Sequence, residues 1–395
     1  MKLKLIHIIL LAAFLLNPCI SSAQPHPVYV VLFTHIEDNS PAGVMGSEES
    51  RLNFLQARRN MIEMANLAKR YNISWSFQPD WKILEAALLY EDSLTMRTTN
   101  GKNFCRYMKE DLGVIIDPHS HEKQGYNYTD VAHLLDSLGV GGSKVIGGHI
   151  WDPDIPSFQH WDRFRVPVAG SVYPWAVWRG EILMGSGTPS HTNDPVVSGV
   201  WRPKDRNHFF VDDPEGNLSC VGQYKGDIPN IIELIHLYDD NTVPATCMLT
   251  SSFHITPTQL NTDMDFVEDS VIKPLLNWID KGDVIVTDFT TLISDWKTKY
   301  HSNGYIYNLG SGSGIDNPLI SADAPIRIVP NPFSARIKLQ NSTGRENVAL
   351  INTMGQLFWE GQQIEQQDFS GLAPGLYFLK INDRRSTHTL RVVKE

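Results

Sequence analysis

The chain has 395 residues, 42% of them apolar and 20% charged, with a formal net charge of −10. That length buries a large core without covalent staples, and the acidic balance argues against nucleic acid or another polyanion as partner. The charge is uneven: residues 325–395 carry nine Lys/Arg against six Asp/Glu, and Lys2 and Lys4 open the chain, leaving the body near −15.

Residues 1–23, MKLKLIHIILLAAFLLNPCISSA, join a basic start to an apolar run and end on Ser21-Ser22-Ala23. This is the form of a secretory signal peptide, cleaved before Gln24. Cys19 lacks the small residues that precede a lipidated cysteine, since Asn17 and Pro18 stand there. No later segment approaches the ~20 apolar residues needed to cross a bilayer, so no membrane span is expected. Cleavage leaves Cys105, Cys220 and Cys247, too few for a disulfide framework and without Cys-x-x-Cys spacing.

The body, 25–308, alternates apolar strands with helical stretches. VYVVLFT (28–34) precedes a helix near 49–69, with Leu52, Leu55, Ile62 and Ala65 at helical spacing. ISWSF (73–77) precedes a helix near 80–91, and GVIID (113–117) a short one over 129–138. KVIGGHI (144–150) is a further strand. Residues 151–245, rich in Trp, Pro and Gly, read as loops and extra strands around a binding face. ATCMLTSSF (245–253), a helix over 263–280, DVIVTDF (283–289) and a last helix to Trp296 complete the body. Such alternation predicts an α/β fold with a parallel sheet or a (β/α) barrel, for which the length suffices. LGSGSGIDNPLISADA (309–324) has linker composition, and 325–395 turns to short alternating strands, a small all-β sandwich.

Polar groups gather just past the strands. The first is followed by His35-Ile36-Glu37-Asp38, the third by Asp117-Pro118-His119-Ser120-His121-Glu122. KVIGG is followed by His149, Asp152 and Asp154, and the late strands by His254 and Asp288. If the third strand continues extended, Asp117, His119 and His121 share one side. Taken singly, His149 and His254 read as well as hydrogen-bonded loop residues, and Glu37-Asp38 as a turn or helix cap. Together, an Asp/His set without thiolates suits a divalent ion of the zinc, cobalt or nickel type.

The order of these elements resembles the polysaccharide deacetylase family, the carbohydrate esterases of family 4, on an irregular (β/α) barrel. Glu37-Asp38 stands where that family has its acid pair, which implies Glu37 as base and Asp38 as metal ligand. His119-Ser120-His121 resembles the family's metal-binding histidine pair but closes two residues early. Trp201-Arg202-Pro203 is similar to an Arg-Pro motif, and Leu249 to His254 to a strand ending in a catalytic-acid histidine. The resemblance implies a metal-dependent deacylase acting on an extracellular glycan, with Glu37 and His254 moving protons and Asp38, His119 and His121 holding the ion. His149, Trp201 and Arg202 are expected at the substrate, and Trp151, Trp161, Trp175, Trp178 and Trp201 supply candidate faces for sugar rings. The altered motifs also suit a non-catalytic glycan-binding surface protein. Asp-x-His-x-His occurs in a barrel phosphoesterase class as well, which the acidic body disfavours.

The tail resembles the C-terminal sorting domain of type IX secretion cargo of Gram-negative bacteria. Pro330-Asn331-Pro332-Phe333, Asn352-Thr353-Met354-Gly355 and Leu372-Ala373-Pro374-Gly375-Leu376-Tyr377-Phe378 carry the likeness. It implies partnership with that machinery and delivery through periplasm and outer membrane to the cell surface or beyond.

Overall fold

The computed structural model describes residues 26–149, 160–184, 196–308, 327–340, 347–352, 356–382 and 387–395. The signal segment 1–23, the linker 309–324, and Trp151, Asp152 and Asp154 lie outside the described residues. The chain divides into two compact units, Met1–Gly314 and Ile315–Glu395.

The first unit is mixed α/β, centred on β1, Val28–Ile36. This strand is apolar from Val28 to Phe33 because it is covered on both faces. Val28, Val30, Leu32 and Ile36 pack against helices, while Tyr29, Val31 and Phe33 face a second core with Val145, Ile182, Met184 and Trp296. All partners of β1 run parallel to it: β2 (Ser76–Pro79), β12 (Thr250–His254) and β13 (Val284–Thr287). Beyond β2 lies β3, Ile115–Ile116, and beyond β12 lies β11, Tyr224–Lys225. A second sheet runs in the order β4 (Val145–Ile146), β7 (Ile182–Met184), β10 (Ser219–Val221), β9 (Val200–Trp201). Two links join the sheets. His119 bridges in parallel to Gly147, just past β4, and β10 runs through Gly222 and Gln223 into β11.

The helices follow their caps. Ser47 opens α1 (Glu48–Arg70), Asp80 opens α2 (Trp81–Tyr90) and Asn103 opens α3 (Phe104–Leu112), each accepting a backbone N–H. Asn127 and Asp130 form a capping box on α4, Tyr128–Ser137. Asp227 caps α5, Ile228–Asp239. Sequence periodicity had no place for α3 or α5. The helix expected over 263–280 is present: Met264–Phe266, a wider helical turn over Val267–Ile272 and α7, Lys273–Lys281, follow one another without a gap, and a separate short helix, α6, Pro257–Thr262, precedes them. Asp288 caps α8, Phe289–Lys299. Among the described residues, no helix is long and apolar enough to cross a membrane.

The second unit is all-β. Its strands Leu357–Gly361, Asn347–Asn352, Gly375–Asn382 and Thr387–Lys394 pair antiparallel in that order, and Arg327–Val329 pairs with Lys338–Gln340. Phe333, Leu350, Ile364, Leu379, Ile381 and Val392 form its core.

Candidate metal centre

Side chains alternate along a strand, so His35 and Glu37 leave the end of β1 on the face that carries Tyr29, Val31 and Phe33. Phe33 is the register partner of His254, the last residue of β12, and His35 that of Gln78 in β2. His119 comes from the other direction, three residues beyond β3, its N–H donating to Pro79 at 3.2 Å. These placements bring four imidazoles together. The His35 ring stacks on His254 at 4.1 Å and on His119 at 4.6 Å, and His121 stands edge-on to His119 at 5.0 Å. Glu37 lies beside them: one carboxylate oxygen is 3.6 Å from His35 Nε2 and 3.5 Å from His121 Nε2.

Within this group His35, Glu37 and His119 each offer a ligand atom, all within 4.8 Å of one another. His119 is 1% exposed, and neither ring nitrogen has a hydrogen-bond partner. Buried polar atoms are normally satisfied, so this ring fits a bond from a metal ion. It rests on Gly148, where a Cβ would come within 2.5 Å of its Cε1 and where φ is +79°. Glycine is required there on both counts.

The electrostatics agree with ligand duty. Burial, then the neighbouring His254, pushes the His35 pKa down to about 3. Burial lowers His254 to about 4, and His119 well below the ordinary imidazole value. All three rings are neutral at pH 7, the form whose lone pair binds metal. His121 draws Glu37 down to about 2, so it is ionised. Two imidazoles and a carboxylate without thiolates suit zinc, cobalt or nickel, and an ion held by these three alone would keep a coordination position for water or substrate.

The remaining expected residues are placed as follows. Asp38 is not in the trio; its carboxylate accepts from Gln124 Nε2 at 3.1 Å. Period two explains the exchange, because His35 and Glu37 share a face that their neighbour Asp38 does not. Asp117 is buried below the cluster's strand end, accepts from Ser143 Oγ at 2.6 Å, and is raised by burial to about 7. His149 is buried against Phe164, ring centroids 5.6 Å apart. Trp201 and Arg202, expected at the substrate, are structural. Trp201 is fully buried, its indole N–H donating to Phe209 O at 2.7 Å, and Arg202 clamps Asp212 at 2.6 and 3.0 Å and lies over Trp296. Trp161 is also fully buried. His35 is the residue to which the motif gives no role; its signal is the same-face spacing His35-x-Glu37 at a strand end.

Residues 327–395 match the family model of the secretion system C-terminal sorting domain. The chain is therefore addressed to the cell surface or the extracellular space, and its tail engages the type IX secretion machinery. None of the curated proteins compared matches the chain. Among solved structures, PorZ, a surface component of the type-IX secretion system of Porphyromonas gingivalis, is 15% identical over 23% of this chain and 14% of its own, TM-score 0.17. A 4-alpha-glucanotransferase from Thermococcus litoralis is 8% identical over 71% of this chain and 40% of its own, TM-score 0.37. A GH57 branching enzyme from Thermococcus kodakaraensis is 8% identical over 68% of this chain and 71% of its own, TM-score 0.40. The chain thus spans less than half of the first two, and at these scores no activity is carried over.

Proposed function

We propose that the exported chain is a metal-dependent hydrolase that removes acetyl or similar acyl groups from an extracellular glycan. The observation that carries the proposal is the His35, Glu37 and His119 trio, with ligand atoms within 4.8 Å of one another. The glycan rests on the deacetylase resemblance of the strand-end motifs. A barrel is supported by the pairings: β3 leads through the His119–Gly147 bridge to β4, then β7 and β10, and the β10–β11 run returns to β12 and β1. On that reading the cluster sits at the mouth, beyond the carboxyl ends of parallel strands, where such folds keep their sites.

His35, Glu37 and His119 would hold the ion. When bound, a divalent ion supplies a Lewis acid that polarises an acyl carbonyl and makes water acidic enough to attack near neutral pH. Glu37 contributes the negative charge, a ligand role rather than the base role its position in the motif implies. Neutral His254, stacked on His35, takes the proton from the attacking water and returns it to the leaving oxygen or nitrogen as the acyl bond breaks. His121 fixes the Glu37 carboxylate. The test is acetate release from acetylated oligosaccharides by the zinc-loaded full chain. Wild type should be active, and His254→Ala should keep its metal but lose roughly 100- to 10,000-fold in turnover. A filled site that releases no acetate would return the cluster to a binding role.

A further inference from the structure

Trp175 is 72% exposed, the most exposed of the large aromatic residues described in the first unit. An indole buries 150–250 Å² when a fold can cover it, and this fold covers Trp161 and Trp201 completely. The loop that presents Trp175 is held firmly. It joins β5 (Val168–Ala169) to β6 (Val177–Trp178), and the buried Asp130 carboxylate accepts the N–H groups of Ser171, Val172 and Tyr173 at 2.9 to 3.1 Å. Thr129 and Asn127 donate to Val168 O and Ala169 O. A Cβ on Gly170 would sit 2.4 Å from Tyr173 O and 2.5 Å from the Asp130 carboxylate, so the chain passes too close for any other residue.

From Trp175 an aromatic series leads toward the metal cluster. Trp175 stands edge-on to Tyr173 at 5.6 Å, and His133 packs on Tyr173 at 4.6 Å. Tyr173 and Tyr126 both donate their hydroxyls to Glu85, at 2.7 and 3.1 Å. Tyr126 lies flat on Trp81, centroids 4.3 Å apart and planes 6° from parallel. Trp81 opens α2 directly after Asp80, whose N–H donates at 2.9 Å to the carbonyl of Ile36, between His35 and Glu37.

We infer that this shelf is an auxiliary subsite for a neutral polysaccharide, with Trp175 stacking on a sugar ring outside the metal site and the series guiding the chain inward. The inference rests on the glycan reading of the metal site. Chemistry favours a sugar polymer over a protein. The apolar surface is one indole with the exposed Val172 and Val177 near it in the chain, beside the Tyr173 ring whose hydroxyl donates to Glu85, whereas a protein partner needs about 800 Å² on each side. A preordered aromatic face beside hydrogen-bonding groups matches a pyranose, apolar on one face and hydroxylated at its edge.

The test measures binding of the full chain to two insoluble probes, acetylated xylan and chitin, with acetate release recorded on the same samples. Wild type should bind at least one, Trp175→Ala should weaken that binding about tenfold, and Trp175→Phe should restore much of it. Trp175 is exposed, so an unchanged melting temperature should confirm folding of each variant. Equal affinity of wild type and Trp175→Ala, no binding to either probe, or self-association that Trp175→Ala abolishes would each overturn the shelf. Acetate release reports on the metal-site reading alone and the affinity ratio on the shelf alone, so either can fail without the other.

Discussion

Asp80 stands under two opposing demands. Its side chain caps α2 by accepting the Trp81 N–H, yet it is 1% exposed, and burial raises its pKa from 3.8 to about 7. The folded chain therefore keeps a proton there that the unfolded chain has released. Stability from this group is present below the unfolded value of 3.8 and is lost as pH rises through about 7. Asparagine caps as well as aspartate and carries no charge. The stability advantage of Asp80→Asn over wild type in metal-free protein should be larger at pH 8 than at pH 5, by roughly 2–4 kcal/mol. Denaturation at both pH values measures it; a gap that does not change would mean that the buried carboxyl titrates normally. The residue scale also separates what the sequence could say of each candidate. His119, His121 and His254 announce themselves by type and by position after apolar strands. The burial of Trp201 and the Arg202–Asp212 clamp depend on Phe209, Asp212 and Trp296, partners that no local pattern reveals.

At the scale of elements, segments with a clear apolar run were legible, the short helix α4 expected over 129–138 and found at Tyr128–Ser137 among them, and α3 and α5 were not. β1, α1, α2, β13 and α8 lie close to their expected bounds, each being a sustained apolar run or a capped helix. Of the apolar positions expected on α1, Leu52 is exposed, Leu55 and Ile62 pack partly buried against the core, and Ala65 is buried there with Phe54, Met61, Met64 and Ala68. α3 escapes because FCRYMKEDL is nine residues long and buries only Phe104, Cys105 and Met108, too little for a period to emerge. α5 hides behind Pro229, which reads as a break but is a favoured residue in a first helical turn. In 151–245 the described strands are two or three residues long, below the reach of alternation. The site turns on one such argument. Position in a motif assigns Asp38 to the metal; the period-two geometry of β1 puts His35 and Glu37 on one face and gives the trio its membership.

At the scale of the whole molecule, the body and the exported tail each have a core of their own. The tail was the most legible part, because its short motifs recur in fixed order, and the sorting-domain match covers 327–395. A chain ending at 314 should keep the thermal transition of the first unit to within about 2 °C, since a domain with its own core folds alone; a larger fall would make the tail part of that core. Both the proposed chemistry and the choice of ligands require that residues from neighbouring strands form one metal site. Elemental analysis of the full chain after zinc loading tests it most directly, on wild type, His35→Ala, His119→Ala and Asp38→Asn. Wild type and Asp38→Asn should take up about one ion and the two histidine variants none, since one trio of ligands would hold it. Zinc retained by His35→Ala but lost by Asp38→Asn, or a wild type that takes up none, would contradict it.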